Sequence, residues 1–111
     1  MTDLELVETN SANLQFIENQ TEEICLFAVQ RNGFAIGYVR NQTYKICLFA
    51  VQKEGLALKY VENQTYEIIL EAILENPWAL KYVKNQTPEI CKLAIEKGDE
   101  SVRQFVKIEI N

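Results

Sequence analysis

The tripeptide Asn-Gln-Thr occurs four times in this chain, and each copy begins 22 residues after the one before. The copies begin at Asn19, Asn41, Asn63 and Asn85. A constant period indicates that one small unit is repeated and that each unit packs on its neighbours in the same way. The sequence therefore predicts a stacked array whose core runs along the stack.

The repeats account for nearly the whole chain. Residues 14–18 align with residues 36–40, so we interpret residues 1–18 as a degenerate unit that caps the N-terminal end. The four repeats then span residues 19–40, 41–62, 63–84 and 85–107, and residues 108–111 form a short tail. At 111 residues, with 48% hydrophobic composition, we expect a single domain.

The prolines favour two short helices in each unit. Pro88 follows Thr87 and Pro77 follows Asn76, and proline at the first helical position after a Thr or Asn N-cap is typical of a helix start. In the second repeat, the first helix would run from Thr43 to about Lys53, and the second from Gly55 to about Glu62. We therefore predict an all-α solenoid of about four 22-residue helical hairpin repeats with a degenerate N-terminal cap.

A leucine-rich-repeat horseshoe is the rival architecture. Residues 58–63 match the L-x-L-x-x-N part of that pattern, and 22 residues lies within its range of periods. The upstream leucine is missing, however, because Gly55 stands where an apolar residue is required. The positions of the prolines have no explanation in that fold.

Several positions are nearly constant from unit to unit, and we expect them to form the core. One column is alanine, which permits a close helix crossing, and another is aromatic. The second helix of the second repeat would point Ala57, Leu58, Tyr60 and Val61 inward. We favour core packing for the rings over a ladder that stacks bases, because the chain is acidic. The alanine column is Ala28, Ala50, Ala72 and Ala94, and the aromatic column is Phe16, Tyr38, Tyr60, Tyr82 and Phe105.

The cysteines and the tripeptide each have a structural interpretation. Cys25, Cys47 and Cys91 share one repeat position whose fourth member is Ile69, so we expect buried apolar thiols in a reducing compartment. Asn-Gln-Thr also satisfies the N-glycosylation pattern. We favour a structural role, in which Thr caps the first helix while Asn and Gln end the second helix and bond to the next turn.

Composition argues against several functions. The chain has no histidine, which removes His-based catalysis and His-containing zinc sites, and it has no glycine-rich phosphate loop. Its net charge of −5 disfavours nucleic acid and anionic membranes. No apolar run could span a bilayer, and no secretory signal is visible in the first twenty residues. We expect no enzyme activity, cofactor, metal, nucleic acid, membrane or small-molecule substrate.

Recognition is expected at positions that vary between units, because constant positions are used for stacking. One variable column holds Glu22, Tyr44, Tyr66 and Pro88, and another holds Phe34, Leu56, Trp78 and Glu100. Aromatic residues dominate interface energetics. The sequence predicts a non-catalytic protein-interaction or scaffold module that binds a partner through Tyr44, Tyr66, Phe34 and Trp78.

The C-terminal end suggests an alternative, which is a self-assembling structural protein without a separate partner. Val106, Ile108 and Ile110 alternate with Lys107 and Glu109, as in an edge strand or an apolar tail. Stacked repeats leave apolar faces at both ends unless the terminal units are polar. Two copies meeting end to end would bury this tail in a homodimer.

Residues 76–83, which read Asn-Pro-Trp-Ala-Leu-Lys-Tyr-Val, and the pattern Glu-Ile-Cys-x-x-Ala-Val carry a likeness to a known family. They resemble a helical-repeat family known as domain of unknown function 4116, which is common in giant viruses of amoebae. The resemblance implies an α-helical array of viral origin that is made in a host cytoplasm. It implies no catalytic residues.

Overall fold

The computed structural model describes residues 1–110, which form α-helices alternating with 3-10 helices. The α-helices are α1 (Asp3–Thr9), α2 (Glu22–Arg31), α3 (Tyr44–Lys53), α4 (Tyr66–Glu75) and α5 (Pro88–Lys97), and the 3-10 helices are η1 (Ser11–Phe16), η2 (Gly33–Tyr38), η3 (Gly55–Tyr60), η4 (Pro77–Tyr82) and η5 (Glu100–Phe105). No strand occurs in residues 1–110. The all-helical prediction is confirmed, and the leucine-rich-repeat alternative, which needs one strand per repeat, is wrong. Asn111, the last residue of the predicted tail, lies outside the described residues.

Threonine side chains determine where the α-helices begin. Thr65 Oγ1 accepts a hydrogen bond from the Ile68 backbone N–H at 3.3 Å, and Thr21, Thr43 and Thr87 cap their helices in the same way. This bond satisfies one of the N–H groups that a helix start leaves without an internal partner. Pro88 is at the first position of α5, so the predicted helix starts are confirmed.

The second helix of each unit is a six-residue 3-10 helix. An Asn or Asp side chain caps four of the five, as where Asn76 Oδ1 accepts from the Trp78 N–H at 3.0 Å. The predicted end at Glu62 was two residues too late, because Val61 has extended backbone angles and η3 ends at Tyr60. The chain between Val61 and Tyr66 is therefore free to form the Asn-Gln-Thr turn.

The core is one continuous cluster built from the same positions in each unit. The alanine column is buried as predicted, and so are Ala57, Leu58 and Val61. Each α-helix packs on the next α-helix and each 3-10 helix on the next 3-10 helix, while units that are not adjacent make no contact within residues 1–110. The molecule is accordingly elongated, measuring 55 × 20 × 16 Å.

The glutamine of each tripeptide joins two successive 3-10 helices. Gln64 Nε2 donates to the Leu58 carbonyl of η3 at 3.4 Å and to the Tyr82 carbonyl of η4 at 2.9 Å. Gln64 Oε1 accepts from the Lys84 N–H at 3.0 Å. Gln20, Gln42 and Gln86 make the same three bonds to their own neighbours. The expected bonds from the tripeptide to the next turn are confirmed for glutamine.

Glycine at the start of η2 and η3 allows the following α-helix to approach closely. A Cβ atom on Gly33 would lie 2.4 Å from the Ala50 carbonyl oxygen, and one on Gly55 would lie 2.3 Å from the Ala72 carbonyl oxygen. The equivalent residue in η4 is Pro77, which does carry a Cβ, and its neighbour is Gly98, directly after the end of α5. At each of these three junctions at least one of the two facing residues is a glycine.

We predict that Gly55→Ala lowers the free energy of unfolding by about 2 kcal/mol, because the new methyl group overlaps a backbone oxygen that cannot move independently of α4. The control is Gly37→Ala, whose Cβ would be no nearer than 3.4 Å to the Tyr60 ring. Neither glycine has a positive φ, so backbone strain does not separate the two. Urea denaturation followed by circular dichroism should show a loss for Gly55→Ala alone, and equal midpoints would contradict the close-packing interpretation.

Candidate interaction surface

The aromatic column lies on the outer surface of the 3-10 helices. Tyr38 and Tyr60 are 40% and 42% exposed, Phe16 is 73% exposed, and only Tyr82 and Phe105 are half-buried. The prediction that this column packs inward was therefore wrong for Phe16, Tyr38 and Tyr60, whereas Tyr82 and Phe105 pack partly against the core. The Tyr60 ring lies beside Gly37 in the preceding 3-10 helix, where its nearest atoms would be 3.4 to 3.6 Å from a Cβ on Gly37.

Two lysines extend over these rings. Lys59 Nζ lies 5.6 Å from the centroid of the Tyr60 ring and 6.0 Å from that of Tyr82. Lys81 Nζ lies 5.7 Å from the Tyr82 centroid and 5.9 Å from the Phe105 centroid. These distances suit cation–π attraction, which draws an ammonium to the electron-rich face of a ring.

Phe34 and Trp78, two of the predicted binding residues, belong to the same outer surface. They are 40% and 46% exposed, and Trp78 packs edge-on against Phe105 with ring centroids 4.9 Å apart. Phe34 lines an open pocket of about 230 Å³ together with Tyr38 and Tyr60. We call the outward aromatic side chains of the 3-10 helices, namely Phe34, Tyr38, Tyr60, Trp78, Tyr82 and Phe105, the aromatic surface.

Tyr44 and Tyr66, the other two predicted binding residues, are also exposed but lie elsewhere. They occupy the first turns of α3 and α4, beside the Asn-Gln-Thr turns, whereas Phe34 and Trp78 lie at the opposite ends of their units, where the 3-10 helices begin. The Tyr44 hydroxyl donates a hydrogen bond to the Glu67 carboxylate. That bond raises the pKa of Tyr44, because the carboxylate stabilises the protonated phenol. The structure therefore divides the four residues into two separate pairs.

A second groove lies between α2 and α3 on the opposite side of the units. It has a volume of about 300 Å³ and is lined mainly by Leu26, Phe27 and Phe49 with the polar residues Glu23, Gln30 and Lys45. The Arg31 guanidinium lies 4.5 Å from the centroid of the Phe27 ring. This groove was not predicted from the sequence, because Leu26 and Phe27 belong to an apolar run that is typical of a buried segment.

The predicted self-association residues lie at the C-terminal end, with Val106 in the last unit and Ile108 and Ile110 in the tail. Val106 and Ile110 are half-buried against the core, and Ile108 is 37% exposed. The Lys107 N–H donates to Gln86 Oε1 at 2.8 Å, which holds the start of the tail on the fourth tripeptide. Ile108 is thus the most exposed of the three predicted contact residues.

The three cysteines are buried free thiols in equivalent core positions. Burial raises the pKa of Cys47 to about 11 and also raises the pKa values of Cys25 and Cys91, because the ionised thiolate is poorly solvated there. Within residues 1–110, no cluster of His, Cys, Asp or Glu has the arrangement of a metal site. No helix in this range is long and apolar enough to cross a membrane.

A comparison with known protein families gives a match to the centre of the chain. The model for Domain of unknown function (DUF4116) matches residues 43–87, which include α3, η3, α4 and η4. The matched segment is similar to that family and contains Tyr60, Trp78 and Tyr82 of the aromatic surface. No curated protein and no solved structure matches the chain.

We predict that the native thiols react with a disulfide reagent at pH 8 far more slowly than those of the protein in denaturant. The folded protein should also lose stability as pH rises above about 9, since the unfolded Cys47 thiol ionises before the folded one. By pH 10 the loss from Cys47 should be about 1 kcal/mol.

The control for this prediction is Cys47→Ile, which copies the residue found at the equivalent Ile69. Its stability should fall less than that of the wild type between pH 8 and pH 10 in urea denaturation. Parallel pH profiles, or native labelling as fast as in denaturant, would contradict the burial of these thiols.

Proposed function

We propose that the chain is a helical solenoid that serves as a non-catalytic protein-interaction or scaffold module. Support for the solenoid comes from the packing, because each unit contacts only its neighbours and the same bonds recur at every tripeptide. In such an array the constant positions maintain the stack, and the exposed positions are free to vary with the partner.

The aromatic surface is the observation that carries this proposal. Phe34, Tyr38, Tyr60 and Trp78 are each exposed by 40% to 46%, and they follow one another along the 3-10 helices. Large rings are costly to leave in water, and contiguous exposed apolar patches mark interaction sites. Tyr and Trp are also the residues most enriched among the energetic centres of interfaces.

The remaining parts of the proposal rest on the family likeness and on the chemistry of the side chains. A viral origin is supported by the resemblance to a family common in giant viruses of amoebae, and a host cytoplasm by the three free thiols. The proposal includes no reaction, cofactor, nucleic acid, membrane or small-molecule substrate. The absence of histidine and the net charge of −5 support that choice.

Self-assembly is the second candidate, and the exposed Ile108 beside half-buried Val106 and Ile110 favours it. A second copy could cover this end of the stack as a homodimer with two-fold symmetry. In that case the tail, and not the aromatic surface, would supply the contact.

We predict that the aromatic surface is required for capture of a protein partner from an amoebal extract. The double variant Phe34→Ala/Trp78→Ala should lose at least about tenfold in capture, measured by quantitative mass spectrometry after cross-linking, because it removes two central rings. Tyr44→Ala/Tyr66→Ala is the matched control from the separate pair and should capture normally. Circular dichroism shows whether each variant retains its helices.

Two results would contradict this proposal. Equal capture by the wild type and the Phe34→Ala/Trp78→Ala variant would remove the aromatic surface from recognition. A light-scattering mass of two chains that falls to one when the protein ends at Lys107, without any captured partner, would instead support self-assembly through the tail.

A further inference from the structure

One pocket in the aromatic surface differs from its equivalents in the neighbouring units. It spans three successive 3-10 helices and is lined by Ala12, Asn32, Phe34, Gly37, Tyr38 and Tyr60, with a volume of about 230 Å³. Three of the six lining residues are aromatic. Gly37 forms the floor between Tyr38 and Tyr60, and the Tyr60 ring is in van der Waals range of where its Cβ would be.

The equivalents of Gly37 in the next two units are Lys59 and Lys81. Each places its ammonium between two successive rings of the aromatic column, at 5.6 Å and 6.0 Å for Lys59 and at 5.7 Å and 5.9 Å for Lys81. The local sequences are otherwise alike, reading FAIGYV, LALKYV and WALKYV. In both units where the equivalent of residue 37 is a lysine, the lysine ammonium therefore lies between two adjacent rings.

Gly37 has no side chain, so the chain supplies no ammonium of its own between Tyr38 and Tyr60. The two rings remain about 40% exposed, and Phe34 adds a third aromatic wall where the next unit has Leu56. Aromatic walls around an open pocket of this kind suit an alkylammonium group, because each ring face attracts a cation and each methylene or methyl group gains apolar contact. The net charge of −5 attracts a cationic partner to the molecule.

We propose that the pocket at Gly37 binds the ammonium of a lysine side chain, bare or methylated, on a protein partner. The bound ammonium would lie between Tyr38 and Tyr60, as those of Lys59 and Lys81 lie between their own pairs of rings. This inference rests on the proposed protein-interaction function and specifies the chemistry that the partner presents there.

The direct test is titration of the ¹⁵N-labelled protein with three small probes, observed by NMR. The probes are capped lysine, its Nε-trimethyl form and its neutral Nε-acetyl form. The two cations should shift the amide signals of Gly37, Tyr38 and Tyr60 and should bind roughly 3- to 30-fold more tightly than the neutral form, which is the range that cation–π attraction provides. The bare and trimethylated forms distinguish the two versions of the ligand.

Two variants use the chain's own repeats as controls. Gly37→Lys recreates the lysine found at residues 59 and 81 and should weaken binding of both cations by at least about tenfold, because its own ammonium competes for the pocket. The Cβ of that side chain would lie no nearer than 3.4 Å to the Tyr60 ring, and the equivalent residues 59 and 81 are lysines, so the variant should remain folded. Lys59→Gly should open a second site and add new shifts at Tyr60 and Tyr82.

Several results would overturn this inference. Equal binding of the neutral probe would mean that charge plays no part, and unchanged binding to Gly37→Lys would place the ligand elsewhere. Binding of phosphatidylcholine vesicles without binding of the lysine probes would indicate a lipid headgroup instead of a protein side chain.

The failure of this inference can be told apart from failure of the interaction proposal. If a partner is captured equally by the wild type and Gly37→Lys, and the probes do not bind, the ammonium site is wrong while the aromatic surface still binds protein. If the probes bind as expected and no partner is captured, the ammonium site stands and the interaction proposal falls.

Discussion

The glutamine in each Asn-Gln-Thr turn makes the contact on which the rest of this structure depends. The last carbonyl groups of a helix have no partner within the helix, and a six-residue 3-10 helix leaves several of them at its end. Gln64 Nε2 supplies a donor to η3 and another to η4, while its oxygen accepts from Lys84. One side chain thus bonds two successive helices, and the same bonds recur at all four tripeptides of the 22-residue period.

This arrangement explains how the aromatic surface arises. The 3-10 helices are short and their ends are satisfied by side chains, so they can stack as a thin layer that covers the α-helices. Small residues, chiefly glycine and alanine, bring the two layers close together, as at Gly55 and Ala72. Little room then remains inside for large rings. Tyr38 and Tyr60 are instead exposed on the outer side, where lysines lie over the Tyr60 and Tyr82 rings and Gly37 leaves one pocket open.

Much of the fold could be predicted from the sequence, because its signals are local. Threonine capping and the proline at the start of α5 depend on residues within four positions of one another, and both were confirmed. The outward position of Tyr60 could not be found in this way. That position depends on contact with Gly37, which lies 23 residues earlier in the chain. The residues next to Tyr60 in the sequence do not indicate whether its ring is buried or exposed. The sequence contains one relevant signal, which is that residue 37 is glycine where the equivalent residues 59 and 81 are lysine. This difference becomes informative only once the rings are known to face outward.

The most direct test of the account is the free energy of unfolding of Gln64→Ala, measured by urea denaturation beside Asn63→Ala. Asn63 is the exposed neighbour in the same turn and serves as the matched control. Removing the Gln64 amide leaves the Tyr82 carbonyl and the Lys84 N–H without the partner that Gln64 supplies, while the Leu58 carbonyl keeps its bond from the Val61 N–H. We therefore expect a loss of about 2 kcal/mol for Gln64→Ala. Asn63→Ala should stay within about 0.5 kcal/mol of the wild type. Equal stability of the two variants would contradict the claim that glutamine joins the units.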